Sequence, residues 1–75
     1  MLDKKILEDI VRVKMPFGKY KGTLLSDLPI SYLEWFKSKG GFPSGRLGAQ
    51  LDTVYEIKIN GLDDIIWKLK QLRKS

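Results

Sequence analysis

Apolar side chains recur at helical spacing near the start of the chain. Leu7 and Ile10 lie three positions apart, and Asp3 precedes them as a suitable N-cap. Leu2 and Leu7 occupy the two positions of a hydrophobic staple. This pattern predicts an amphipathic helix over residues 3–11.

The spacing then changes from helical to alternating. Between residues 11 and 17 apolar side chains alternate with Arg12, Lys14 and Pro16, which is typical of a half-buried strand. Because a proline cannot donate to a ladder, this would be an edge strand. Residues 18–22 begin and end with glycine, and residues 23–25 would form the return strand. We therefore predict a β-hairpin whose tip carries three residues: Lys19, Tyr20 and Lys21.

A second helix is predicted around residues 32–39, but its start has two interpretations. Pro29 suits a first helical turn. Alternatively, Ser31 and Glu34 fit a capping box about one turn later. The glycine pair at 40–41 should end the helix.

Residues 46–59 also have two interpretations. Leu47 and Leu51 begin a helical face, whereas residues 53–59 alternate like a strand and carry β-branched side chains. We favour a helix because Asn60-Gly61 is a natural C-terminal stop.

The last apolar stripe predicts a helix that runs from Leu62 to Leu72. Trp67 lies off this stripe and should be partly exposed. By contrast, we expect at least two of the three aromatic residues of the second helix to pack in the core. These three are Tyr32, Trp35 and Phe36.

Together, the elements predict an α+β fold in which a short β-hairpin packs among three to four α-helices, as a single small domain over residues 1–75.

Charge favours an anionic partner. The 14 lysines and arginines exceed the 9 acidic residues, which gives a net charge of +5. No acidic residue stands between Asp9 and Asp27, nor between Glu34 and Asp52, so positive charge is concentrated in those stretches. The basic residues there are Arg12, Lys14, Lys19, Lys21, Lys37, Lys39 and Arg46.

The residue types also argue against catalysis. The chain has no histidine and no cysteine, so the usual general base, a zinc site and a thiolate nucleophile cannot be built. The adjacent acidic pairs at 8–9 and 63–64 fit solvated or dipole-complementing charge. We expect no catalytic residue, metal or cofactor. The absence of cysteine and of a signal peptide also predicts a cytoplasmic location without a membrane partner.

Residues 15–22 are the most unusual stretch. They can be a turn with solvated lysines, or a basic tip whose aromatic ring stacks on a base while the lysines contact phosphates. On the second interpretation, the nucleic-acid-binding residues would be Lys19, Tyr20, Lys21, Lys14, Arg12 and Arg46.

Several motifs resemble a small bacterial family described as putative quorum-sensing-regulated virulence factors, also classed as a domain of unknown function. They include residues 15–22, 27–29, 41–43 and 56–58, within a similarity that covers roughly residues 13–65. The resemblance implies no known activity and no catalytic residues. The Phe-Gly-Lys and Leu-Pro-x-x-Tyr-Leu-x-Trp pattern is also similar to a segment appended to some proofreading-type exonucleases, which implies a role in nucleic-acid metabolism.

We therefore predict a small binding module for the DNA or RNA backbone. The alternative is a protein-interaction module or homodimer without a nucleic-acid role, favoured by the apolar stripe of the last helix and by Trp67.

Overall fold

The computed structural model describes residues 3–74, without the side chains of residues 73 and 74. Four α-helices account for most of this part of the chain: α1 (Lys4–Ile10), α2 (Ile30–Ser38), α3 (Arg46–Ile59) and α4 (Asp63–Lys74). A short 3-10 turn at Leu25–Asp27 precedes α2. The described residues extend over 37 × 25 × 21 Å.

The fold is organised around α3, which packs against α1, α2, α4 and the 3-10 turn. Its inner face is buried because Leu51, Val54 and Ile57 recur at helical spacing. These side chains meet buried residues from the other elements to form one continuous core. The contributing residues are Ile10, Val11, Met15, Leu25, Leu28, Leu33, Phe36 and Ile66.

Most of the helical predictions are confirmed. Asp3 caps α1 and accepts a hydrogen bond from the backbone N–H of Lys5 at 2.8 Å. Residues 46–59 form a helix rather than a strand, and Asn60 is its C-cap. The predicted staple between Leu2 and Leu7 involves Leu2, which lies outside the described residues.

The capping box predicted at Ser31 is wrong. Helix α2 begins at Ile30, and its N-cap is Pro29, whose backbone is extended. The carbonyl of Pro29 accepts from the backbone N–H groups of Tyr32 and Leu33, at 3.1 and 3.3 Å. No side chain caps this end.

The predicted α+β class is also wrong, because residues 3–74 contain helices and no β-strand. The two arms of the expected hairpin touch at one antiparallel bridge, between Lys14 and Leu24. Pairing stops there because Pro16 has no N–H and the chain turns at once. The backbone N–H groups of Lys21 and Thr23 are used in local turns, donating to the carbonyls of Gly18 and Tyr20. We call residues 14–24 the basic loop.

Within residues 3–74, none of the helices combines the length and apolar character needed to cross a membrane.

Candidate functional site

Three backbone hydrogen bonds close the basic loop. The N–H of Met15 donates to the carbonyl of Thr23 at 2.8 Å, and the N–H of Gly22 donates to the carbonyl of Met15 at 2.9 Å. The N–H of Leu25 donates to the carbonyl of Val13 at 3.0 Å. Met15 is buried, so the loop is anchored in the core while its tip projects over α2.

Gly18 allows the loop to approach α2 closely. Its backbone φ is +78°, a value that L-residues with a side chain rarely adopt. A Cβ at this position would also lie 3.3 Å from the hydroxyl oxygen of Tyr32. The glycine therefore brings the loop against the face of α2 that carries Tyr32.

An open groove of about 580 Å³ lies between the basic loop and α2. Its surface is mainly apolar, and we call it the aromatic groove. The loop contributes Phe17, Lys19 and Tyr20, and α2 contributes Ser31, Tyr32, Trp35 and Phe36.

The rings of the groove contact one another. The centroids of Tyr20 and Tyr32 lie 4.6 Å apart, and Phe36 meets the Tyr32 ring edge-on at 5.2 Å. The Tyr32 and Trp35 rings are parallel to within 2°. Phe17 is 44% exposed and Trp35 is 51% exposed, so aromatic surface on both sides of the groove is open to a ligand.

Positive charge borders this aromatic surface. The ammonium nitrogen of Lys19 lies 5.6 Å from the centroid of the Tyr20 ring, within cation–π range. Lys14 and Lys21 are exposed on the same loop. None of these three lysines forms an ion pair with a described residue, and no described carboxylate lines the groove. Burial is the main cause that raises the pKa of Tyr32, and the neighbouring Tyr20 adds to it.

Four of the six sequence-predicted site residues therefore lie on one loop, and the two arginines lie elsewhere. Arg46 begins α3 and donates to the carboxylate of Asp9, with Nη2 at 2.5 Å and Nε at 3.1 Å. Arg12 follows α1 and lines a second groove, of about 510 Å³, between α1 and α4. That groove also contains Lys4, Leu7, Glu8, Val11, Leu69 and Leu72.

The sequence prediction missed Phe17 and Trp35 as site residues. Two of the three α2 aromatic residues do pack in or against the core, as predicted: Phe36 is buried and Tyr32 is partly buried. Trp35 is the exposed one. Helical spacing places Tyr32, Trp35 and Phe36 on neighbouring positions of one face, but it does not show which of them the basic loop leaves open.

The groove can hold a planar, apolar group against its rings and an anionic group beside Lys19. Nowhere in residues 3–74 do three or more acidic side chains converge as they would to hold a metal ion.

These features define a small helical domain with an aromatic groove next to a basic loop. The chain belongs to the family described as putative quorum-sensing-regulated virulence factor, whose profile matches residues 3–69. It is 44% identical over 70 residues to the uncharacterized protein YpeB of Escherichia coli strain K12, an alignment that covers 93% of this chain and 97% of that protein. YpeB of Escherichia coli O157:H7 matches with the same identity and coverage. No solved structure matches the chain.

Proposed function

We propose that this protein binds single-stranded nucleic acid, with a base stacked in the aromatic groove and phosphates beside the lysines of the basic loop. The observation that carries the proposal is the position of the Lys19 ammonium group, next to exposed aromatic surface at Phe17 and Trp35. Exposed rings and unpaired cations are the two components from which single-strand sites are built.

A single strand suits this geometry better than a duplex. An aromatic side chain stacks on a base face to face, and a base offers its face only when it is unstacked. Stacking of one base on an aromatic side chain contributes about 1–3 kcal/mol and tolerates any base. Lysines contact phosphate as compact charges without reading sequence. We therefore expect binding with little base preference.

The affinity should be modest and should depend on salt. Few cations lie near the groove, so about two or three phosphates would be neutralised. We expect a dissociation constant in the micromolar range or weaker, which rises steeply with salt concentration because counterions are released on binding.

The test is fluorescence anisotropy of labelled single- and double-stranded oligonucleotides at low and physiological salt. Reversing the charge of Lys19 and Lys21 to Glu should weaken single-strand binding by about ten-fold or more and lower its salt dependence. A matched control reverses two lysines that lie away from the groove, the exposed Lys4 on α1 and Lys68 on α4. Both double variants change the net charge equally.

Equal losses in the two double variants would show that only net charge matters and would contradict a site at the groove. An absence of binding by the wild-type protein at low salt would overturn the proposal entirely. Circular dichroism of each variant checks that it retains its helices.

We further propose that this is binding without catalysis, in the cytoplasm. The oligonucleotide recovered after prolonged incubation should be intact, with or without added Mg²⁺. Cleavage that co-purifies with the wild-type protein and is lost in the Lys19 and Lys21 variant would contradict binding without catalysis. Cell fractionation tests the cytoplasmic location.

A second candidate function is self-association through the groove between α1 and α4. The observation that favours it is the exposure of apolar side chains on α4: Leu72, which lines this groove, is 72% exposed, and Trp67, which lies outside it, is 62% exposed. Light scattering should then report a dimer whose population falls when the exposed Leu72 is replaced by Lys. A monomer at high concentration would exclude this candidate.

A further inference from the structure

We infer that a second subsite, formed by Lys37, Phe42 and Tyr55, extends the aromatic groove and makes it a path for several nucleotides. This inference rests on the proposed function, because it concerns the same ligand. It adds a residue, Lys37, that the first site does not use.

The subsite has the same composition as the first one. The ammonium nitrogen of Lys37 lies 5.1 Å from the centroid of the Tyr55 ring and 5.7 Å from that of Phe42. The two rings contact each other at 6.1 Å between centroids, and both are only partly buried. Lys37 is exposed and forms no ion pair with a described residue. A cation is thus held beside accessible aromatic surface, as at Lys19 and Tyr20.

The backbone holds this second cluster in place. After α2 ends, the N–H of Gly41 donates to the carbonyl of Phe36 at 2.8 Å, and the chain turns back at Gly40 and Gly41, both with positive φ. This turn brings Phe42 against Phe36, with 5.8 Å between the ring centroids.

Phe36 connects the two subsites. Its ring contacts Tyr32 and Trp35 on one side and Phe42 on the other. The rings therefore form one cluster from the basic loop to α3, with Lys19 at one end and Lys37 at the other. Phe36 is buried within this cluster, so a strand would contact the exposed or partly buried rings on either side of it. Successive ring centroids in this cluster lie 4.6–6.1 Å apart, so both ends are within reach of one strand of roughly four nucleotides or more, the lower end of single-strand site sizes.

Oligonucleotide length separates the two subsites experimentally. We compare labelled oligothymidylates of about two and about twelve nucleotides, which fill one subsite and the whole path respectively. Lys37→Glu should weaken binding of the long oligonucleotide by about three- to ten-fold and lower the slope of log affinity against log salt by about 0.7. It should weaken the short one less, because the short one can bind beside Lys19 instead. Lys19→Glu should weaken both, and Lys68→Glu is the control of equal charge.

The outcomes distinguish this inference from the proposed function. If the wild-type protein binds neither oligonucleotide, the proposed function itself fails. If it binds the long one and Lys37→Glu binds it as tightly as Lys68→Glu does, then only the extended path fails. Lys37→Gln removes the charge but keeps much of the aliphatic packing over the rings, and it should lower the salt slope as Lys37→Glu does, which a purely structural role of Lys37 would not produce.

Discussion

Asp9 is the acceptor in a small polar network that joins α1 to α3. Its carboxylate accepts hydrogen bonds from Arg46 and, at 3.1 Å, from the side-chain amide of Gln50. Gln50 is buried, and the Asp9 side chain is 17% exposed. The hydrogen bond from Arg46 is the main cause that lowers the pKa of Asp9 below its ordinary value of 3.8, although burial opposes this shift.

The lowered pKa predicts how Asp9→Asn changes stability with pH. A carboxyl group whose pKa is lower in the folded state stabilises the fold above its unfolded pKa, and this contribution is lost as pH falls through the folded pKa. The variant should therefore cost about 1 kcal/mol at neutral pH, a modest amount because Arg46 is largely exposed to solvent. The difference should shrink as pH falls below 3.8 and through the lowered pKa of the folded state. Urea unfolding between pH 2.5 and 7 measures it.

The control is Asp52→Asn, on the exposed face of α3, where the carboxylate forms no ion pair with a described residue. Its effect on the unfolding free energy should be smaller at neutral pH. An Asp9→Asn penalty that stays constant from pH 7 to pH 2.5 would show that the loss comes from packing rather than from charge.

Gly48 is a second residue whose role follows from its surroundings. It is buried within α3, and a Cβ there would lie 1.7 Å from the carbonyl oxygen of Pro43. We predict that Gly48→Ala destabilises the protein by about 2 kcal/mol or more, because backbone must move to admit the methyl group. In an unobstructed helix the same change would stabilise by about 1 kcal/mol. The sign of the change in denaturation midpoint therefore decides whether this close approach exists in solution.

At the scale of elements, hydrophobic spacing predicted the helices well and the basic loop poorly. Residues 46–59 form a helix because Leu51, Val54 and Ile57 all reach the core from one helical face. The alternation between residues 11 and 17 does not arise from a strand. Val11 is the C-cap of α1, and Met15 is a loop residue that anchors in the core. An alternating pattern shows which side chains are buried. A strand also needs a second strand that pairs with it over more than one bridge.

Helix α4 should be the least protected of the longer helices. Among the described side chains of α4, only Ile66 is buried, whereas α3 buries five residues. An ion pair between Lys70 and Asp27 attaches it to the 3-10 turn, but both side chains are substantially exposed. Few buried contacts permit local opening, so amide hydrogens of α4 should exchange faster than those of α3. Lys70→Ala should accelerate exchange in α4 alone. Equal protection of the two helices would show that α4 unfolds only with the whole domain.

At the scale of the whole molecule, the candidate site combines features that sequence reveals unequally. Lys19 and Tyr20 were predictable because their lysine- and glycine-rich segment stands out within an acid-free stretch. Phe17 and Trp35 were not, since their exposure depends on how the basic loop lies on α2. The sequence placed Arg46 with the lysines of the basic loop, whereas in the structure it pairs with Asp9. That partner is distant in sequence, so the pairing could not be predicted from spacing.

The two tryptophans provide a direct test of where a ligand binds. Trp35 lines the aromatic groove, whereas Trp67 is 62% exposed on α4 and lies outside both grooves. In a Trp67→Phe variant, the remaining Trp35 should lose fluorescence on addition of single-stranded oligonucleotide, because a stacked base quenches the indole. In a Trp35→Phe variant, Trp67 should respond little, and affinity by anisotropy should fall because the change removes indole surface from the groove. Raising the salt concentration should reverse the quenching of Trp35 in parallel with the loss of binding. A response of Trp67 with none from Trp35 would place the ligand on α4 and contradict binding in the groove.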